Sequence, residues 1–446
     1  MNSPIDVKLP PLESLIQDDE QASSFFVDKR NFTDPQIFDL EMEKIFESTW
    51  VFLCHESLIP DNNDYYSTKI GRRPVLVMRD DEGGINAFIN ACSHRGAQLC
   101  RTERGNKKFI TCAYHGWVFN SAGECVDVRD HQKGNYTKRF NDDGHALKSL
   151  AKVESYRGFV FGSFSEDVPT LIDHLAEARH FIDLVVDQTD EGQEVIPGGS
   201  KYVHVGNWKM QPENGIDGYH ALATHGNYFK LIATAPQRHA KAEQKEDLKR
   251  PFDDQMLIGE SGWYDLRNGH AVMWITFPKP ENRPIFSRYE ELKEKFGEGR
   301  AKWMVERQRN VVIYPNLLLM EHISTQVRVI QPRSVDETAV QIYCLGTKGE
   351  SQQERTLRIR QYEDFYNASG LATPDDLVNF DACHAGYLGG EGELVDGYAR
   401  GMENLVPQPD YAAKELGLNP AAGGADAEDE TLLVGQHRQW LKLMTS

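Results

Sequence analysis

Short stretches of alternating hydrophobic and polar residues characterise the chain from about Asp64 to Phe164, and this alternation predicts β-strands. The segment PVLVMRDDEGGINAFINACSH reads as a strand, a Gly-bearing turn and a second strand, and GWVFNSAGECVDV repeats that layout. RGFVFGSFS adds another short strand. The pattern predicts a small all-β module.

A helical pattern precedes this module. In DPQIFDLEMEKIFESTWVFL, the hydrophobic residues recur at the spacing of one helix face: Ile37, Phe38, Leu40, Met42, Ile45 and Phe46. The end of the segment changes to a continuous apolar run. We therefore expect an amphipathic helix that leads into a strand at Trp50–Leu53.

Helical and extended patterns are mixed after Pro169. The helical segments are LIDHLAEARHFIDLVVD, SRYEELKEKFGEGRAKWMVERQ and ERTLRIRQYEDFYNAS. The segments that read as strands of an antiparallel sheet are SKYVHVGNWKM, HAVMWITFP, NVVIYPNLLLM, TQVRVIQP and AVQIYCLG. NPAAGGADAEDE predicts a small-residue acidic linker before a short terminal segment around Trp440.

These patterns predict an α+β fold, in which a small all-β domain is inserted into a larger domain with an antiparallel sheet flanked by helices. The predicted boundaries are an N-terminal segment over 1–45 that packs on the larger domain, the all-β domain over 46–165, and the larger domain over 166–446.

Composition narrows the possible partners and compartment. The 446 residues carry a net charge of −19, which repels nucleic acid and anionic lipid, so neither is expected as a partner. The N-terminus lacks the pattern of a signal peptide, and no apolar run reaches the ~18 residues of a membrane span. We expect a cytoplasmic protein, in which the odd count of 7 cysteines argues against a disulfide framework.

The first candidate site is a pair of Cys/His motifs. Cys92-x-His94 and Cys112-x-x-His115 place one sulfur and one imidazole on each of two predicted loops, and a glycine follows each histidine. Two chemistries fit this spacing: a structural Zn²⁺ with two cysteines and two histidines, or a Rieske [2Fe–2S] cluster in which the cysteines bind one iron and the histidines the other. In the cluster, the N–H groups of Gly96 and Gly116 would face the sulfides.

The second candidate site is Asp217-x-x-His220-x₄-His225. Histidines five residues apart lie ~140° apart on an α-helix, so they converge only if the helix is widened by a π-turn or broken. Two histidines and one carboxylate on one face of Fe(II) would leave positions open for O₂ and substrate. Asp375 and Asp376, at a predicted helix start after Pro374, could supply the carboxylate or could be ordinary helix-start acids.

These motifs resemble those of a known family. CSHRG and CAYHGW resemble the Rieske motif in the large (alpha) subunits of aromatic ring-hydroxylating oxygenases. FTDPQIFDLEMEKIFESTWVFLCHESLIP, GNWKMQPENGIDGYH, IYPNLLLM and RQYEDFYNASGLATPDDL extend the similarity over nearly the whole chain, and they are most similar to the benzoate, anthranilate and aniline dioxygenase branch. The resemblance implies one Rieske [2Fe–2S] cluster and one mononuclear non-haem Fe(II) per chain.

The resemblance also implies residue roles and partners. Cys92, His94, Cys112 and His115 would hold the cluster. His220, His225 and Asp376 would bind the mononuclear iron, with Asp375 as the fallback ligand. Asp217 would bridge His115 of one subunit and His220 of its neighbour. The implied partners are neighbouring alpha subunits, a small beta subunit in an α₃β₃ assembly and an NADH-dependent reductase. The implied reaction adds O₂ to a one-ring aromatic, giving a cis-diol or catechol.

The sequence defines the substrate pocket less clearly than it defines the two metal sites. The residues predicted to line it are Asn214, Gly215, Ile216, Ala221, Leu222, Phe365 and Tyr366. Gly226 and His384 depart from the residues expected in benzoate-type enzymes, and no single arginine stands out as a carboxylate anchor. The alternatives are a monooxygenase or demethylase on the same scaffold, a zinc-stabilised binding protein, and a simple electron carrier.

Overall fold

The computed structural model describes residues 9–231, 259–389 and 394–446. The chain forms two compact units. One comprises Met42–Leu171, and the other combines the residues up to Glu41 with Ile172–Ser446. The domain boundaries predicted from the sequence lie between residues 45 and 46 and between residues 165 and 166.

The smaller unit is built from three small antiparallel sheets. Their strands, in sheet order, are Ile85–Ile89, Arg73–Arg79, Asp64–Ile70 and Arg104–Asn106; Cys125–Asp127, Val118–Asn120 and Phe109–Thr111; and Lys152–Tyr156, Phe159–Ser163 and Val51–His55. The remaining elements are the π-helical turn Met42–Phe46, the short helix Lys138–Asp142 and the 3₁₀ turns Glu56–Leu58 and His131–Lys133. Cys92 and Cys112 lie in its apolar core, beside Trp117.

The larger unit is organised around an antiparallel sheet that has nine strands in the described part of the chain. Eight of them follow in the order Gln193–Val195, Glu337–Thr347, Gln326–Ser334, Leu317–Met320, Arg307–Ile313, Ala271–Thr276, Ser261–Asp265 and Ala422–Gly424, and Ser200–Val205 also pairs with Glu337–Thr347. The central strands Arg307–Ile313 and Leu317–Met320 are buried along their whole length, because they are covered on both faces.

Helices surround this sheet and carry the second candidate site. In the described ranges, the helices of the larger unit include Arg30–Thr33, Pro35–Glu41, Leu171–Leu175, Arg179–Val186, Met210–Ile216, His220–Thr224, Tyr289–Phe296, Glu298–Val305, Gln352–Gln361, Thr373–Leu388, Tyr411–Leu416 and Val434–Thr445, with a π-helical turn at Tyr362–Tyr366. Ile16–Asp19, Ser24–Asp28 and Leu394–Val395 form a further small sheet. The predicted α+β fold is confirmed. None of the helices in the described ranges is both long and apolar enough to cross a membrane.

Two predictions from the pattern were wrong in detail. The helix predicted over 287–308 is two helices with Gly297, a poor helix former, at their junction, and a strand already begins at Arg307. The predicted linker over 419–430 contains the strand Ala422–Gly424, which pairs with Ser261–Asp265 at the sheet edge. Small residues allowed this close pairing where the pattern indicated only a flexible connection.

Candidate metal centres

Two loops with matching backbone hydrogen bonds carry the first site. The N–H of Gly96 donates to the carbonyl of Cys92 (2.8 Å), and the N–H of Gly116 donates to the carbonyl of Cys112 (3.0 Å). Both glycines have φ of 74°, a left-handed conformation that favours glycine. Their N–H groups therefore close the turns, and they are not free to face cluster sulfides as the sequence led us to expect.

The two imidazoles of these loops lie side by side. The ring centroids of His94 and His115 are 4.6 Å apart, and the ring of Trp117 stacks on His94 at 4.6 Å and 7°. Burial lowers the pKa of His94, and the charges of His115 and Arg95 lower it further, so the imidazole is neutral near pH 7. Nδ1 of His94 is buried without a hydrogen-bond partner among the described residues, which leaves a lone pair available to a metal.

The two thiols complete this donor set. Cys92 and Cys112 are both buried. Burial raises the pKa of Cys92 and the neighbouring Cys112 thiol adds to this, whereas the N–H groups of His94 and Arg95 act in the opposite direction. The N–H groups of His94 and Arg95, the two residues before Gly96, are therefore the donors that face the sulfur of Cys92. Two adjacent thiols and two adjacent imidazoles fit a Rieske cluster.

The second site begins where two helices meet. Met210–Ile216 ends at Asp217, and a second helix, His220–Thr224, ends at His225. The N–H of His225 still donates to the carbonyl of Ala221 (3.0 Å), but its φ of −98° and ψ of 17° leave the helical region. The helix is thus broken at His225 and not widened by a π-turn, and the ring centroids of the two histidines lie 5.2 Å apart.

Three potential ligand atoms converge here. Oδ1 of Asp376 lies 3.5 Å from Nε2 of His220 and 3.3 Å from Nε2 of His225. One ligand atom from each of these three residues lies within 4.8 Å of the others. Asp376 is buried, whereas the side chain of Asp375 is 41% exposed and its Oδ2 is 3.8 Å from Nδ1 of His225. The geometry favours Asp376 over Asp375 as the third ligand, and two histidines with one carboxylate fit non-haem Fe(II).

Asp217 orients the first histidine. Its Oδ2 accepts a hydrogen bond from Nδ1 of His220 (2.9 Å), and its Oδ1 accepts one from the N–H of Tyr219 (2.7 Å). With the proton held at Nδ1, Nε2 of His220 presents a lone pair toward Asp376. Burial opposes charging of His220, but the hydrogen bond from Asp217 and the charges of Asp217 and Asp376 raise its pKa overall.

Asp376 is held in its charged form. Burial alone would raise the pKa of this carboxyl, but the hydrogen bond with His225 and the charges of His220, His225 and Arg328 lower it. Asn214 is close to the same group, with Nδ2 3.3 Å from Nε2 of His220 and 3.4 Å from Oδ1 of Asp376. The carboxylate is therefore ready to bind a cation.

The three potential ligands lie on the wall of a cavity. Its empty volume is about 790 Å³, which includes space open to solvent. Of the residues predicted to form the pocket, Asn214, Ala221, Phe365 and Tyr366 line it. The ring of Phe365 lies edge-on to His225 at 5.4 Å, which places an aromatic surface beside the potential ligands.

Three of the predicted pocket residues do not line the cavity. Gly215 faces the sheet, where a Cβ would lie 2.6 Å from Leu318. Ile216 is fully buried in the core, and Leu222 points outward with 57% of its surface exposed. They are neighbours of the motif in sequence, but the helix turns their side chains away from the cavity.

Several lining residues were missed by the sequence reasoning. Strands of the sheet contribute Met273, Ile275, Asn310, Met320 and Arg328; His322 follows the strand Leu317–Met320, and the segment 426–428 comes from the predicted linker. Polar residues inside otherwise buried strands, such as Asn310 and Arg328, were the available signal. Gly226 and His384 do not line the cavity, and His384 is buried near His204.

Two family profiles match the chain. One, described as Rieske [2Fe-2S] domain, matches residues 49–156. The other, described as ring hydroxylating alpha subunit (catalytic domain), matches residues 194–418. The first overlaps both Cys/His loops, and the second includes His220, His225 and Asp376. These matches decide for the Rieske cluster over zinc, and against both a zinc-stabilised binding protein and a simple electron carrier.

Individual proteins are similar over nearly the full length. The chain is 45% identical to the toluate 1,2-dioxygenase subunit alpha of Pseudomonas putida, covering 97% of this chain and 94% of that protein. It is 42% identical to the anthranilate 1,2-dioxygenase large subunit of Acinetobacter baylyi, covering 93% and 88%. The crystal structure of naphthalene 1,2-dioxygenase from Rhodococcus sp. bound to indole superposes with a TM-score of 0.78 at 26% identity, covering 94% of each chain.

Proposed function

Since the chain belongs to the alpha subunits of ring-hydroxylating dioxygenases, we propose that it adds both atoms of O₂ to a one-ring aromatic of the benzoate, anthranilate or aniline type. The observation that supports this most directly is the convergence of His220, His225 and Asp376 on the wall of a partly apolar cavity. The product is a cis-diol, or a catechol if the diol then loses ammonia or CO₂.

The residues of the chain have distinct roles in this proposal. Cys92, His94, Cys112 and His115 hold the Rieske cluster. His220, His225 and Asp376 hold the mononuclear iron. When bound, these centres supply one-electron transfer and O₂ activation. The protein positions the aromatic ring beside the potential iron ligands with Phe365 and Tyr366, and burial of the site limits the access of water.

Asp217 connects this site to a neighbouring copy of the chain in our proposal. Each of its carboxylate oxygens accepts one bond from its own chain and keeps a further lone pair. His115 is partly exposed and lies next to Tyr114, which is 60% exposed; beside Asp217, Tyr219 is 50% exposed. These surfaces suit a contact in which His115 of one copy donates to Asp217 of the next, and a ring of subunits would repeat it at every site.

The partners follow from the same reasoning. Relatives of the chain are named as large or alpha subunits, which implies a smaller companion subunit. We propose a beta subunit in an α₃β₃ assembly and a separate reductase that oxidises NADH. The reaction then balances as arene, O₂, NADH and a proton giving the cis-diol and NAD⁺.

The test uses the oxygenase complex purified with its small subunit and supplied with reductase, NADH and ¹⁸O₂. Benzoate, anthranilate, aniline and salicylate form the substrate panel. We expect at least one ring to gain two labelled oxygen atoms with one NADH consumed per product. A single labelled atom would instead identify a monooxygenase, and NADH oxidation without any oxidised ring across the panel would contradict the proposal.

A further inference from the structure

Buried arginines in this protein have carboxylate partners, with one exception. In the described ranges, five arginines are buried: Arg283, Arg307, Arg309, Arg328 and Arg358. Four of them pair with a carboxylate within 4.0 Å: Arg283 and Arg309 with Glu321, Arg307 with Glu415, and Arg358 with Glu350. Arg328 has no carboxylate oxygen at that distance among the described residues. A buried charge without a counter-ion is costly, so Arg328 requires an explanation.

The contacts of Arg328 leave part of its guanidinium unused. Nη2 donates two long hydrogen bonds, to the carbonyl of Tyr366 (3.5 Å) and to Oγ1 of Thr373 (3.3 Å). Nε is buried and has no partner among the described residues. The guanidinium carbon lies 5.1 Å from the centre of the Tyr366 ring. Asp376 senses the charge of Arg328, but its carboxylate is already engaged with His220 and His225.

Arg328 lies where its charge faces the cavity proposed to bind the substrate. It lines the same cavity as the three potential iron ligands. Two other polar groups on this wall also have an unpartnered buried atom, Oδ1 of Asn310 and Nε2 of His322. Burial, with the charge of Arg283, lowers the pKa of His322 to about 4, so this imidazole is neutral near pH 7. These three residues therefore bring one positive charge and two neutral polar groups to the wall.

Apart from Asp217 and Asp376 of the potential iron site, two further acidic residues that line the cavity act on an anion. Asp426 and Glu428 lie on the lining segment from the C-terminal region, and Glu428 already pairs with Arg400 (3.1 Å). A negative group on the ring is repelled from these two residues and attracted by Arg328. An uncharged ring gains no such preference.

We propose that Arg328 binds the carboxylate of the substrate, so that the enzyme acts on one-ring arene carboxylates in preference to uncharged or amino-substituted rings without that group. This inference rests on the proposed function and narrows its substrate class. A planar guanidinium can donate two parallel hydrogen bonds to a carboxylate, which fixes the ring's orientation as well as its affinity.

The test measures equilibrium binding of benzoate and benzamide to the oxygenase complex, because the two have nearly the same shape and differ in charge. We expect the wild type to prefer benzoate. In Arg328→Gln, the dissociation constant of benzoate should rise about 10- to 100-fold, since a hydrogen bond to a charged group is lost from a buried site. The dissociation constant of benzamide should change far less. Arg328→Lys, which keeps the charge but not the planar fork, should give an intermediate loss.

Controls separate this role from a structural one. Arg333→Gln removes an exposed arginine from the same strand, where it pairs with Glu337 (3.0 Å), and should leave both affinities unchanged. Iron and cluster contents of each variant report on folding. If Arg328 served only to balance Asp376, Arg328→Gln would lose iron while the benzoate-to-benzamide ratio stayed at the wild-type value, and the proposal would be overturned.

The wild type alone also tests the proposal, should the variants fail to fold. Equal affinity for benzoate and benzamide would refute a carboxylate anchor. Turnover of aniline but not of benzoate or anthranilate would refute it as well, while the proposed dioxygenase function would stand. Failure to oxidise any ring would count against the proposed function itself.

Discussion

Replacing Asp217 by asparagine changes one atom and tests how the iron site is oriented. Both carboxylate oxygens of Asp217 are in use, one accepting from Nδ1 of His220 (2.9 Å) and the other from the N–H of Tyr219 (2.7 Å). Asparagine offers one oxygen and one NH₂ group, so it satisfies only one of these donors. If the NH₂ faces Nδ1, His220 changes tautomer and places its proton on Nε2, where the metal should bind.

The size of the effect follows from the bond that is lost. A hydrogen bond to a charged group contributes about 1.5–3 kcal/mol, which corresponds to a roughly 10- to 150-fold weaker binding of Fe(II). We therefore expect Asp217→Asn to load both metal centres at saturating iron but to release the mononuclear iron at lower chelator concentrations. Coupled turnover should stop, because the proposed bridge to the neighbouring His115 loses its charge.

Anaerobic competition between the protein and an Fe(II) chelator measures the affinity, and product formed per NADH measures coupling. Asp375→Asn is the matched control, because this carboxylate is exposed and lies 3.8 Å from Nδ1 of His225. It should behave like the wild type in both assays. If Asp217→Asn kept wild-type iron affinity and full coupling, the assigned roles of Asp217 would be wrong.

Three further changes test other parts of the structure. His220→Ala should lose the mononuclear iron while the visible absorbance of the cluster survives, since the cluster residues lie in the other unit; loss of both signals would contradict separate sites. Glu41→Ala should lower the free energy of unfolding in urea by about 3–5 kcal/mol. The reason is that the fully buried Glu41 accepts a hydrogen bond from Trp440 Nε1 (2.6 Å) and pairs with the buried Lys209. A urea unfolding midpoint equal to that of the wild type would argue against this pair. Burial, together with the charge of Asp217, raises the pKa of Glu430 to about 7 from the ordinary 4.5. Ionisation of this carboxyl therefore does not lower the stability of the folded state below pH 4.5, and it lowers that stability by the full amount above pH 7. Glu430→Gln should therefore raise the melting temperature above pH 7 and leave it unchanged near pH 4, and a shift of equal size at both pH values would refute the assignment.

The features that could be predicted best from the sequence are those that depend on the spacing of nearby residues. The Cys/His motifs and the His220/His225 pair could be located because their chemistry requires those residue types a few positions apart. The requirement that the helix be broken or widened followed from helix geometry alone, and the structure breaks it at His225. The choice between Asp375 and Asp376 needed the resemblance, since both are plausible helix-start acids.

The cavity could not be predicted in the same way, because its wall depends on long-range strand pairing. Arg328 is paired in register with Leu318, whose side chain is so close to Gly215 that a Cβ on this glycine would clash with it. Nothing near Arg328 in the sequence indicates that its side chain reaches the site. The acidic stretch after Asn419 has the composition of a linker, and only its pairing with Ser261–Asp265 makes it part of the wall.

The edge strand Ala422–Gly424 also determines when the cavity can close during synthesis on the ribosome. His220 and His225 are synthesised long before Asp376, and the segment 426–428 that completes the wall follows Asp376. A nascent or truncated chain therefore presents two imidazoles without their carboxylate, which is a weaker and less selective metal site. Iron binding by all three potential ligands therefore requires a chain that extends past Asp376, and enclosure of the site requires the segment that follows it.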